Sequence, residues 1–274
     1  MQDIYDHLES NIEKTISRLM ELVEQPSVSA EGIGFDEAPH LVKRFFEESG
    51  LKSEIWPVGN DGHPSVFGEI QGDVDRTLFF YTHYDVQPVD PIDLWESPPF
   101  VPERRDDRLY GRGMSDDKGN IVARLAAIDA FMKVRGVLPC SVKFFAEGEE
   151  EIGSINLPKL VSERAGRMAA DVCIWEGGGR NSSNDPFIYL GLKGILTVEI
   201  SLSMLSGDAH SSYATVLPSA PWRLLQALNT LRAPDGRVLI EGFYEDVLPT
   251  TREEDDAIAN LPDEAEEWMS TFGT

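Results

Sequence analysis

Between Ser53 and Glu176 short strand-type runs alternate with helical stretches, and this alternation narrows the available folds more than any other feature of the chain. The strand candidates are SEIWPV, SVFGEI, TLFFYT, SVKFFAE and DVCIWE, rich in β-branched and aromatic residues, with QGDVD as a turn between the second and third. The stretch NIVARLAAIDAFMKV, apolar at Ile121, Leu125, Ile128 and Met132, reads as the best helix in the chain, and LPKLVSERAG as another. Such an order predicts an α/β fold with a mostly parallel sheet flanked by helices. Upstream, Ile4, Leu8, Ile12, Ile16, Leu19 and Val23 recur at steps of three and four and predict one amphipathic helix. A further helix carries Leu41, Val42, Phe45 and Phe46 and ends at Gly50.

After Glu176 the pattern changes. GGGRNSSND is a loop, FIYLGLKGILTVEISLSML reads as longer alternating strands, and Pro218 opens a helix with Leu224, Leu225, Leu228 and Leu231 on one side. A second, α+β domain is therefore expected, with residues 1–192 forming the first domain and 193–274 part of the second.

Composition serves mainly to exclude. Forty-eight acidic against 24 basic residues leave a net charge of −24, which repels nucleic-acid phosphates and anionic lipid. Neither a nucleic acid nor a membrane is an expected partner, and no apolar stretch approaches the roughly 20 residues of a membrane helix. The opening MQDIYDHLESNIEK has neither the basic flank nor the apolar core of a signal peptide. Cys140 and Cys173 form no disulfide framework and no CxxC motif, and they read as core thiols in a reducing, cytoplasmic setting. The acid-rich REEDDAIANLPDEAEE reads as a solvated surface run.

Other acids sit where solvation is no explanation. In open α/β sheets functional groups gather beyond the carboxyl ends of the strands. THYDVQP places His83 and Asp85 there, GRGMSDDKGN places Asp116 and Asp117 just before the long helix, EGEEEIGS places Glu149, Glu150 and Glu151 after a strand, and DVCIWEGGG ends in Glu176. Each alone has an ordinary explanation as a surface histidine, a helix cap, a charge run or a loop residue. Four in one half-chain point to a shared metal site. Two divalent cations about 3.5–4 Å apart need a bridging carboxylate, and imidazole supplies a zinc site with nitrogen. Because i and i+2 share a strand face, Asp85 is expected to accept the second N–H of His83 and orient it. Adjacent glutamates can divide labour, one on the metal and one moving a proton. The residues alone leave both Glu149–Glu150 and Glu150–Glu151 open as that pair, and Asp171 is a rival to Glu176, although it precedes its strand.

THYDVQP, LYGRGMSDDKGN, FFAEGEEEIGS, IWEGG and GDAHSSYAT, spread over roughly Ile4 to Leu231, together resemble the di-zinc metallopeptidases related to aminoacylase, carboxypeptidase G and carnosinase. The likeness is greatest to the carnosinase-like cytosolic dipeptidases. That resemblance implies a hydrolase that cleaves the amide bond of a dipeptide or small N-acyl amino acid with a metal-activated water. It implies that His83 and Glu176 hold one zinc, Glu151 the other, and Asp116 bridges them, with manganese or cobalt as alternative metals. Glu150 would be the general base, a choice the trailing IGS favours over Glu149. The Asp116–Asp117 peptide would be cis. The second domain would be a lid through which a homodimer forms, and His210 would reach the partner subunit's site to steady the tetrahedral intermediate.

In that family the last zinc ligand is a histidine in a catalytic segment that follows the lid, whereas this sequence ends at Thr274. The resemblance thus implies a truncated chain that holds at most one zinc tightly and is essentially inactive by itself. Two other readings stand beside the dipeptidase: a non-catalytic metal-binding or dimerisation fragment, and an N-acyl-amino-acid deacylase.

Overall fold

The computed structural model describes residues 1–59, 62–180, 185–189, 191–192 and 194–273. They divide into two units, Met1–Gly179 and Arg180–Thr274.

The first unit opens with α1 (Gln2–Ser10), α2 (Ile12–Glu24) and α3 (Ala38–Glu48). Then come β1 (Lys52–Trp56), β2 (Ser65–Ile70), β3 (Val74–His83) and the hairpin of β4 (Glu103–Arg105) and β5 (Arg108–Tyr110). α4 (Lys118–Arg135), β6 (Cys140–Glu147), α5 (Leu157–Met168) and β7 (Val172–Trp175) complete it. The five strands expected from the apolar runs are all present, in the order β1-β2-β6-β3-β7. β3 pairs in parallel with β6 and β7, while β2 is antiparallel to both its neighbours, so only β2 runs against the others. His83 pairs with Glu147 and Tyr81 with Trp175. The carboxyl ends of the three parallel strands therefore lie side by side.

Alternation along the strands splits the core in two. Phe80, Phe144, Val66 and Ala146 face Leu22, Val42, Phe46, Ile121 and Leu125 of the helices on one side. Phe79, Tyr81, Trp56, Phe67 and Phe145 face Leu160 of α5 on the other. Fully burying each such large apolar side chain contributes roughly 1.5–3 kcal/mol. A charge is buried with them. The Lys118 ammonium donates to the carbonyls of Leu22 at 3.1 Å and Gln25 at 2.6 Å, satisfying the free carbonyls at the end of α2. Burial pushes its pKa down to about 7. This contact anchors the start of α4, and with it Asp116 and Asp117, against α2.

The single N-terminal helix is in fact two, broken at Asn11 (φ −114°, ψ 13°). The Asn11 amide donates to the His7 carbonyl at 2.8 Å, one of the local side-chain bonds that compete with helix propagation. The hairpin β4–β5 leaves no strand signal in the sequence, because ERRDDRLY carries charge and little apolar alternation. Arg105, held by Glu96 and Glu103, and Asp106 at φ 55° shape it. Cys173 is exposed and Cys140 only half-buried, which corrects the expectation of two core thiols. Among the described residues β7 is the edge strand beside β3, with no neighbour on its other side.

Beyond β7 a pair of two-residue strands, β8 (Gly179–Arg180) and β9 (Pro186–Phe187), is followed by α6 (Ala220–Leu228), α7 (Arg252–Ala259) and α8 (Ala265–Phe272). The long alternating strands expected up to Leu205 are absent among the described residues from 188 to 205. Ile188, Leu192, Ile195, Leu196 and Val198 are exposed there. A strand takes its hydrogen bonds from a neighbour, and no described strand pairs with these residues. α6 starts at Ala220, two residues later than Pro218, with Pro221 in its first turn. The acid-rich run does form helices: a capping box between Thr251 and Glu254 starts α7, and its residues stay exposed. Among the described residues no helix is long and apolar enough to cross a membrane.

Candidate metal centre

His83 is the last residue of β3 and only 1% exposed. Its backbone N–H donates to the Asp117 carboxylate at 3.2 Å, and Nδ1 lies 3.0 Å from the backbone carbonyl of Asp85. With Nδ1–H donating to that carbonyl, Nε2 faces the acids. It is 2.9 Å from Asp116 Oδ1 and 3.9 Å from Glu150 Oε2.

Asp85 orients this site, but mostly not in the way expected. Its carboxylate Oδ1 is 3.5 Å from His83 Nδ1, farther than its own carbonyl oxygen. The two carboxylate oxygens accept the backbone N–H groups of Glu150 at 3.2 Å and Glu151 at 3.0 Å. The imidazole is held by the main chain of Asp85, and the Glu150–Ile152 turn by its side chain.

The three consecutive glutamates have different surroundings. Glu149, 3% exposed, accepts the N–H of His63 at 3.0 Å, the N–H of Asn156 at 3.2 Å and the Asn156 side-chain amide at 3.0 Å. Glu150 is 34% exposed and faces His83. The Glu151 carboxylate accepts from the Gln87 amide at 2.7 Å. Glu149→Ala is accordingly expected to destabilise the fold by about 1–3 kcal/mol, the cost of leaving a buried donor unmade. Denaturant unfolding measures this, and an unchanged midpoint would contradict a stabilising role for these Glu149 bonds.

Asp116 and Asp117 precede α4 and are joined by a cis peptide bond. Asp116 is 76% exposed on its side chain, whereas Asp117 is buried. The Asp117 carboxylate makes no cap to the helix backbone and instead takes the His83 N–H and the Asn120 amide. Glu176 follows β7 with φ at 37°, and its N–H donates to the Tyr81 carbonyl at 2.9 Å. Its rival Asp171 lies at the opposite end of β7, where it accepts from Arg76 at 2.7 Å and from the Thr77 N–H at 2.8 Å. His210, in the second unit, is exposed, and its Nδ1 accepts the Ser212 N–H at 3.2 Å.

Two sets of possible ligand atoms result, His83 with Glu150 and Glu176, and His83 with Asp116 and Glu151, each set within 4.8 Å. All four carboxylates thus meet at one imidazole, while Asp116 and Glu176 share no set. Charge is badly matched there. Burial raises Glu176 to about 7; His83 opposes the shift, and the charges of Glu150, Asp117 and Asp116 add to it. Burial likewise raises Glu150. The hydrogen bond to His83 is the main influence holding Asp116 low. Burial pulls His83 down, yet its bonds to Asp116 and Asp85 and the nearby negative charge carry it up to about 11. One imidazole nitrogen ringed by carboxylates is a donor set that fits a divalent cation such as zinc.

A further buried acid lies beside the site, paired in register with His83 and outside both ligand sets. Glu147, the last residue of β6, is buried and accepts the Tyr81 hydroxyl at 2.6 Å, and burial raises it to about 7. Tyr81 in turn stacks on Trp175 at 3.9 Å. An acid closing the buried run SVKFFAE was the available signal.

Residues 79–263 match the profile of peptidase family M20/M25/M40. The chain belongs to that family. Among its relatives, the human Beta-Ala-His dipeptidase is 33% identical over 195 residues, covering 70% of this chain and 38% of the relative. The Cys-Gly metallodipeptidase DUG1 of Candida albicans is 29% identical over 299 residues, covering 100% of this chain and 61% of the relative. Among solved structures, the M20 family metallo-carboxypeptidase Sso-CP2 of Sulfolobus solfataricus aligns with a TM-score of 0.87 and 40% identity, over 95% of this chain and 59% of that one. The chain thus spans less than two thirds of the length of these relatives.

Proposed function

We propose that the protein is a zinc-dependent hydrolase of short peptides, acting on the amide bond of a dipeptide. The observation that carries this reading is the convergence of Asp116, Glu150, Glu151 and Glu176 on His83 at the ends of three parallel strands. His83 and Glu176 would hold one metal and Glu151 the other, with Asp116 between them, in a site of two zincs that manganese or cobalt could also fill. Bound metal supplies polarisation of the scissile carbonyl and acidification of a water molecule. Glu150 takes the proton from that water and passes it to the leaving amine nitrogen. Asp85 keeps Nδ1 of His83 occupied and the Glu150 turn in place, so the metal ligand and the base are both held in orientation before substrate arrives. The dipeptidase relatives support the substrate class.

A second reading, removal of a carboxy-terminal residue from longer peptides, is favoured by the 40% identity to the metallo-carboxypeptidase. The deacylase reading differs in its acyl group alone. Residues 193–274 would belong to a lid through which two copies pair, with His210 serving the partner subunit's site. That part of the reading rests on the GDAHSSYAT motif, and a cytoplasmic setting on two unpaired thiols. Assaying the metal-loaded protein on dipeptides, N-acyl amino acids and longer peptides separates the enzyme readings. Metal binding without hydrolysis of any of them would leave a metal-binding fragment instead.

A further inference from the structure

Glu176 is held at the site by a residue that no motif includes. We propose that Arg124 of α4 is a positioning residue for Glu176, clamping the end of β7 onto the end of β3; the inference rests on the reading of Glu176 as a metal ligand.

Glu176 adopts φ 37°, a left-handed conformation that a residue with a side chain holds only when its surroundings impose it. Little in its own segment does so. Gly177, Gly178 and Gly179 follow it, and among the described residues β7 pairs with β3 alone. The restraint comes from across the sheet. One Arg124 nitrogen, Nη1, donates to the Tyr81 carbonyl at 2.8 Å, and the other, Nη2, donates to the Glu176 carbonyl. The same Tyr81 carbonyl accepts the Glu176 N–H. Both main-chain polar groups of Glu176 are thus tied to one point on β3, two residues before His83. The guanidinium lies 5.2 Å from the Phe80 ring centroid, which sets its plane against the core. A planar fork reaches two carbonyls at once, as an ammonium on a flexible stem does not. Arg124 thereby does for Glu176 what Asp85 does for Glu150 and Glu151.

The test is a cobalt(II) titration of the metal-free full chain, followed by visible absorption, with thermal melting of each metal-free variant alongside. Arg124→Met, which keeps an apolar stem over Phe80, is expected to bind cobalt about 10–100-fold more weakly, the usual loss when a group supporting a ligand is removed. Arg124→Lys is expected to recover part of that loss, and Glu176→Gln to weaken binding at least as much as Arg124→Met. Wild-type affinity in Arg124→Met, even with a lower melting temperature, would overturn the proposal, as would full recovery in Arg124→Lys. If Glu176→Gln binds like the wild type, Glu176 is no ligand, and the proposal falls together with the reading beneath it. Should Arg124→Met not fold, Arg124→Lys and Arg124→Gln carry the same comparison.

Discussion

Glu150→Gln is expected to leave the fold and the bound metal intact while turnover on a dipeptide falls by about 10²–10⁴, the range for loss of a general base. The glutamine amide has nearly the same shape but cannot take up a proton. Glu150 is the free member of its trio. Among the described residues no N–H donates to its carboxylate, which points to His83 at 3.9 Å, while its own backbone N–H is tied to Asp85. Glu149 is spent on the N–H groups of His63 and Asn156, and Glu151 accepts from Gln87. Replacing Glu150 therefore disturbs little besides proton transfer. Steady-state kinetics with metal analysis of the same sample read the two effects apart. Wild-type turnover would move the base away from Glu150, and lost metal would make Glu150 a ligand beside Glu176.

His83→Ala is expected to remove tight metal binding altogether, a larger loss than the roughly 10–100-fold that follows removal of a supporting partner. Both sets of candidate ligands depend on this one side chain. One imidazole cannot give its Nε2 to two metals, so a second ion would rest on Asp116 and Glu151 with oxygen donors only. Ligand number and type set affinity. The wild-type chain should consequently retain about one equivalent after dialysis against metal-free buffer, and His83→Ala none. Elemental analysis decides it. Two equivalents firmly held by the wild type would reveal a further nitrogen donor, and one held by His83→Ala would place the metal elsewhere.

The five strands were legible because each is an apolar run between turn residues; His83, Glu150 and Glu176 stand out at the ends of those runs, and Asp116 just before the long helix. What escaped notice depends on main-chain groups or on distant partners. The carbonyl of Asp85 holds His83, which a rule about side chains two apart on a strand does not reveal. Glu149, Glu150 and Glu151 look alike in sequence, and only the N–H groups of His63 and Asn156 set Glu149 apart. Asn11 breaks a helix whose apolar spacing continues straight through it. Between 188 and 205 the alternation is real, but alternation describes a face and not a neighbour, and among the described residues no strand pairs there.

β3 runs from exposed residues at Val74 to fully enclosed ones at His83, and its pairing with β6 is irregular only at the exposed end, between Val74 and Thr77. Opening by fraying therefore begins at the end remote from the imidazole. Amide hydrogens near Tyr81 and His83 are expected to exchange with solvent far more slowly than those near Val74, which hydrogen-exchange measurements would show. The His83 end of the strand is thus its enclosed end, and the side chain that both sets of candidate ligands share stands on the part of β3 least open to fraying.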